Sequence, residues 1–210
     1  MANLITLSRL LLLFVLLASA YYSPPAWQLA NAPLLILIIF MDAIDGWVAR
    51  RRRETSVFGS IFDIAVDRVV ENVLWIVLAN LGLVPVWATI VFVIRGTIVD
   101  AIRYAAIASG ESAFGMMKTP FGRFLVAGRF MRGFYGTLKA VTFGWVLFLQ
   151  PLPKLAPVFW ADWSGALDAA TMTLVVASVM VCVLRGLPVV LEWVAGPNGI
   201  RKLQAAQEAG

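Results

Sequence analysis

Six apolar runs, near residues 4–21, 33–50, 58–80, 84–106, 124–150 and 168–194, constrain most of what this chain can become. A helix of about 20 residues crosses the hydrocarbon layer of a bilayer, and each run is about that long or longer. A helix in that layer also satisfies its own backbone polar groups, so each run reads as a membrane-spanning helix. Pro and Gly clusters punctuate the gaps: "YYSPPAW", "NLGLVPVW" and "QPLPKLAPVFWADWSG". The expected fold is an all-α integral membrane protein of about six transmembrane helices, a single domain over residues 1–210.

Composition agrees with that expectation. The chain is 61% hydrophobic and 14% charged, whereas soluble domains are nearer half apolar and a quarter charged. Its mean hydropathy is +0.86. Arg9 lies inside the first run and further apolar runs follow, so that run is expected to stay in the protein rather than leave as a signal peptide. Eight Trp and thirteen Phe suit interfacial belts and lipid-facing surfaces.

Two residue types narrow the chemistry. The single cysteine, Cys182, excludes an internal disulfide and sits in an apolar run as a small filler. Histidine is absent, which excludes a His general base, a His-ligated zinc and a His-ligated haem. Any metal site must therefore be rich in oxygen.

The net charge of +5 is a matter of topology, not of nucleic acid. Arg50 to Arg53 follow the second run, Lys118 and Arg123 the fourth, and Arg201 and Lys202 the sixth; the opposite loops carry only Lys154. The positive-inside rule then places both termini and the basic loops in the cytoplasm. Short loops and the lack of a targeting segment favour a bacterial inner membrane.

Against this apolar background four aspartates stand out in "MDAIDGWVARRRRETSVFGSIFDIAVDRVVE". Asp42 and Asp45 are three apart and Asp63 and Asp67 four apart, so each pair shares a helix face. The short basic loop between the two helices makes them antiparallel neighbours whose acidic faces can converge. Carboxylates so crowded repel one another unless cations sit between them. An all-oxygen set of this charge suits one or two Mg²⁺, Mn²⁺ or Ca²⁺ ions. One Asp alone reads as a snorkelling or paired charge, and one Gly alone as helix packing. Four aspartates interleaved with Gly46, Ala49 and Gly59 exceed both readings.

The order Asp42-x2-Asp45-Gly46-x2-Ala49-Arg50-x8-Gly59-x3-Asp63-x3-Asp67 resembles the signature of the CDP-alcohol phosphotransferase family. The resemblance implies a six-helix bundle, a homodimer and a transferase acting on a CDP-linked lipid, CDP-diacylglycerol. By the same resemblance Asp42, Asp45 and Asp63 would ligate one Mg²⁺ or Mn²⁺, and Asp63 with Asp67 a second. Gly46, Ala49 and Gly59 would leave room for the cytidine nucleotide, Arg50 and a loop hydroxyl, Ser56 or Thr55, would meet its phosphates, and Asp67 would be the general base. Attack of an alkoxide on the diphosphate needs its charge offset and its proton accepted, which cations and a carboxylate supply.

The acceptor is read from the later helices. Arg95, Arg103, Lys118 and Arg132 offer a cationic pocket for a phosphorylated alcohol, because arginine pairs well with phosphate. Equally, Arg103 can pair with Asp100, and Arg103, Lys118, Arg123 and Arg129 can face anionic headgroups, whereas Arg95 and Arg132 lie deeper in apolar runs. "NLITLSRL" and "IRGTIVDAIRYAA" resemble the corresponding segments of the phosphatidylglycerophosphate synthase group, while the Lys118–Lys139 segment departs from that group's Gly-Lys-x-Lys-Thr pattern. Glycerol 3-phosphate is thus the expected acceptor, with inositol phosphate, inositol, serine or another lipid as alternatives. An ion transporter would spread its carboxylates over several helices at mid-membrane depth, and a scaffold would not need four of them. Arg185 and Glu192 receive no role.

Overall fold

The computed structural model describes residues 2–52, 57–108 and 119–195. Among them every regular element is helical: α1 (Ala2–Tyr22), α2 (Pro25–Gln28), α3 (Asn31–Arg52), α4 (Val57–Asn80), α5 (Val86–Ala108), α6 (Pro120–Gly122), a π-helix (Arg123–Ala127), α7 (Arg129–Leu149), α8 (Leu152–Leu155) and α9 (Pro157–Ala195). The six expected runs correspond to α1, α3, α4, α5, α7 and α9. By length and composition, three stretches among the described residues are apolar enough to cross a membrane: Ile5–Tyr22, Pro25–Asp42 and Pro157–Ala195. Elsewhere charges interrupt the apolar windows, as Asp63, Asp67, Arg68 and Glu71 do on α4.

Two edges differ from expectation. α9 starts at Pro157, well before residue 168, because proline is favoured in the first turn of a helix and "VFWADWSGALDAA" contains no later break. The fifth run begins as a π-helix and becomes α-helical only after Gly128.

The surface is apolar where a soluble protein's is polar, and a few polar side chains are buried in an otherwise apolar interior. Leu11, Phe14, Ile36, Phe40 and Ile76 are exposed, while Arg9, Arg185, Thr142 and Ser178 are buried. Apolar side chains over the outside and polar ones within suit a lipid solvent.

The chain divides into two compact units, Met1–Thr89 with Lys139–Val175 and Ile90–Leu138 with Val176–Gly210. In the first, α1 lies against both α3 and α4. Its interior is apolar, including Leu13, Leu16, Leu35, Ile38, Val66 and Leu74. Trp75 is fully buried with its ring edge-on to Phe143 at 4.9 Å, and the Thr89 hydroxyl donates to the Trp75 carbonyl at 2.9 Å. The end of α1 is closed by glutamines: Gln28 and Gln150 both donate to the Ala20 carbonyl, at 3.3 and 2.8 Å. α4 ends in a Schellman motif. Gly82 takes φ 72°, its N–H donates to Ala79, and the Leu83 N–H donates to Leu78.

In the second unit the π-helix is fixed from several sides. The Gly128 N–H donates to the Arg123 carbonyl at 2.9 Å, closing a five-residue turn. Arg185 on α9 donates to the carbonyls of Leu125 and Val126, and its guanidinium lies 5.4 Å from the Tyr135 ring centre. One α9 stretch further on, Glu192 accepts from both the backbone N–H and the hydroxyl of Thr119, the residue that caps α6. Arg185 and Glu192, seven apart on one helix face, therefore anchor the 119–127 segment at both ends.

Candidate functional site

The site follows from helix periodicity and from the contact of α1 with α3 and α4. Asp42 sits near the C-terminal end of α3; Asp63 and Asp67 share one face of α4. Each offers a carboxylate oxygen, and these oxygens lie within 4.8 Å of one another. The expected convergence of two acidic faces is thus present in the geometry for these three residues. The side chain of the fourth, Asp45, lies outside the described residues.

At the centre stands a residue that the sequence reading left out of the site. Arg9, whose side chain is only 4% exposed, reaches across from α1. Its Nη1 is 2.7 Å from Asp42 Oδ1 and donates to Asp63 Oδ1 at 3.2 Å, while Nη2 donates to Asp67 Oδ1 at 2.7 Å. One planar guanidinium therefore engages three carboxylates on two helices, the kind of forked contact that lysine cannot make. The carboxylates themselves are 41–49% exposed, so solvent and ligands reach the cluster. Two signals for Arg9 were available in the sequence: an arginine inside a leucine-rich run requires a counter-charge, and it closes the Asn3-x2-Thr6-x2-Arg9 opening.

The donor set tests whether a divalent cation fits. Three carboxylates with oxygens this close form an all-oxygen cluster, as Mg²⁺ or Mn²⁺ requires. The cluster fits such an ion.

The other expected residues are placed as follows. Gly59 is half-buried on α4. Gly46, Ala49 and Arg50 belong to α3, but nothing beyond their backbone is described; Ser56 and Lys118 lie outside the described residues altogether. In the second unit, Arg103 sits 3.8 Å from Asp100, the pairing that its spacing allowed. Arg95 runs over Gly186: a Cβ there would lie 2.9 Å from its Cγ and Nε. Arg132 is exposed in the first turn of α7.

A second ionic group belongs to the first unit. Glu71 accepts from Arg68 at 3.2 Å and pairs with Lys139 at 2.8 Å, joining α4 to α7. Lys139 is therefore engaged in holding two helices together.

Comparison with known proteins gives this geometry a setting. A family model described as CDP-alcohol phosphatidyltransferase matches residues 1–200. The chain is 26% identical over 208 residues to a probable phosphatidylglycerophosphate synthase of Mycobacterium tuberculosis, covering 96% of this chain and 85% of that one. It is 31% identical over 101 residues to the CDP-diacylglycerol–glycerol-3-phosphate 3-phosphatidyltransferase of Bacillus subtilis. That match covers 46% of this chain and spans about half (52%) of the relative's length. A shorter stretch of 56 residues is 39% identical to CDP-diacylglycerol–inositol 3-phosphatidyltransferase 1 of Arabidopsis thaliana, a quarter (25%) of either chain.

Proposed function

Because the chain belongs to the CDP-alcohol phosphatidyltransferase family, we propose that it transfers a phosphatidyl group from CDP-diacylglycerol to glycerol 3-phosphate and releases CMP. The observation that carries this reading is the convergence of Asp42, Asp63 and Asp67 at the accessible end of a buried arginine. Relatives named for glycerol-phosphate transfer support the acceptor. Inositol is the second reading, favoured by the shorter match to an inositol transferase.

In this reading Asp42, Asp45, Asp63 and Asp67 hold two divalent cations, Mg²⁺ or Mn²⁺. Bound there, the cations would offset the negative charge of the diphosphate and of the departing CMP. Asp67 accepts the proton of the acceptor hydroxyl as its oxygen attacks the lipid-side phosphorus; the new O–P bond forms while the bond to CMP breaks. The nucleotide lies along α3 and α4, where Gly46, Ala49 and Gly59 leave space and Arg50 and Ser56 meet phosphate oxygens. Arg95, Arg103, Lys118 and Arg132 receive the phosphate of the acceptor, with Arg103 exchanging Asp100 for it.

The protein works as one catalytic domain and a homodimer, with six spans in a bacterial inner membrane. Its termini and site face the cytoplasm, which the basic loops support. Product analysis with labelled acceptors tests the assignment. Incorporation of label from glycerol 3-phosphate into lipid, and not from inositol, inositol phosphate or serine, is the expected result. Incorporation from another acceptor alone would replace it.

A further inference from the structure

The geometry points to Arg9 as a resident cation of the aspartate cluster, one that competes with a divalent ion for the carboxylates. This rests on the metal-site reading above, and it concerns a residue to which that reading assigns no part.

Arg9 contacts Oδ1 of Asp42, Asp63 and Asp67, one oxygen on each of the three carboxylates. A cation drawing on any of these oxygens competes with an N–H donor at 2.7–3.2 Å. Coordination at about 2.1 Å leaves no room for both partners along the same lone pair. The charges lead to the same conclusion. Three ionised carboxylates carry three negative charges and the guanidinium one positive, so the described cluster presents two negative charges with Arg9 and three without it. A positive charge within 4 Å of the ligand oxygens weakens the attraction for a second cation.

Arg9 cannot retreat easily into solvent, being almost wholly buried on α1. Its Nε is buried without a hydrogen-bond partner, so the guanidinium is held through its two terminal nitrogens alone. Those two nitrogens are the only attachment that the described residues give it. Displacement therefore frees Arg9 as a unit, and the same event loosens the ionic tie of α1 to α3 and α4. Entry of the ion and the seating of α1 are coupled through one side chain.

The opposite role, arginine as a mere organiser of the carboxylates, predicts the opposite sign. Removing an organiser scatters the ligands and weakens the ion; removing a competitor tightens it. Mn²⁺ titration followed by the loss of its free-ion electron paramagnetic resonance signal separates the two. The samples are the full-length protein in detergent after chelation and dialysis: wild type, Arg9→Gln, Arg9→Lys and Asp42→Asn. Arg9→Gln is expected to bind Mn²⁺ about tenfold more tightly or better than wild type, from the lost charge and the freed oxygens. Arg9→Lys, which keeps the charge but loses the fork, is expected to fall between them.

A monodisperse Arg9→Gln protein of wild-type helicity with equal or weaker Mn²⁺ affinity overturns the inference. If Arg9→Gln does not fold, Arg9→Lys decides alone: tighter binding supports the inference and equal or weaker binding overturns it. Wild-type binding that Asp42→Asn removes, with no tightening at position 9, sinks the role of Arg9 and leaves the metal site standing. Absence of saturable binding in every sample removes both.

Discussion

Arg9 Nη2 donates to Asp67 Oδ1 at 2.7 Å, tying the middle of α1 to the face of α4 that carries two of the family's aspartates. The carboxylate that would take the acceptor's proton is thus held, before any ion enters, by a buried partner on another helix. The fold serves this relationship: α1 lies against both acidic helices, and its far end is closed by Gln28 and Gln150.

Asp67→Asn removes the proton acceptor while preserving shape and a neutral partner for Arg9. Transfer is expected to fall by about 100-fold or more, the range that a positioned general base supplies. Binding of CDP-diacylglycerol stays measurable, because the remaining aspartates still hold a cation. Steady-state CMP release beside equilibrium binding of the nucleotide lipid checks both halves.

Asp42→Asn should behave differently, lowering metal and nucleotide binding together. Mn²⁺ stabilises the wild-type protein against heat if it binds the folded state. That gain in Tm is expected to shrink in the variant, and the effect is read by thermal unfolding with and without the ion.

Removal of metal should be complete and reversible. EDTA is expected to abolish CMP release, and excess Mg²⁺ or Mn²⁺ to restore it. Activity that persists through exhaustive chelation would contradict the metal part of the mechanism.

Glu71 and Lys139 form an ion pair at 2.8 Å with both side chains mostly buried. Lys139→Met leaves Glu71 with Arg68 as a remaining partner, so the loss is expected to stay below the about 3–5 kcal/mol of a fully unpaired buried charge. Replacing both, with Glu71→Leu as well, should recover much of that loss. Unfolding midpoints in detergent for the two single variants and the double variant form the test.

Gly128 ends the π-helix where a Cβ would stand 2.2 Å from the Phe124 carbonyl oxygen. Gly128→Ala therefore forces the turn to shift, at a cost of about 1–3 kcal/mol. Differential unfolding of the variant measures it.

Much of this architecture was legible in the sequence, for reasons that individual residues make plain. Asp63 and Asp67 are four apart on a helix, so their shared face is a property of local geometry. The six apolar runs correspond to six long helices, three of them apolar enough among the described residues to cross a membrane, and Asp100 with Arg103 is an i,i+3 pair visible at sight. The sequence signals at Arg9 call for a counter-charge without saying which one, because its partners lie 33, 54 and 58 positions away on other helices, taking 42, 63 and 67 less 9. Arg185 was unassigned for the same reason: its partners are the carbonyls of Leu125 and Val126, which carry no side-chain signature. The π-helix was missed because one extra residue per turn leaves no mark on hydrophobic spacing. The early start of α9 was missed because Pro157, read as a break, is a helix start.

The transfer reaction itself can be measured on the purified protein. CMP release by the purified protein should be followed with CDP-diacylglycerol and Mn²⁺, with and without glycerol 3-phosphate. The account predicts release only when both substrates and the ion are present. Release indifferent to every acceptor, or no release from protein that folds and binds Mn²⁺, would contradict it.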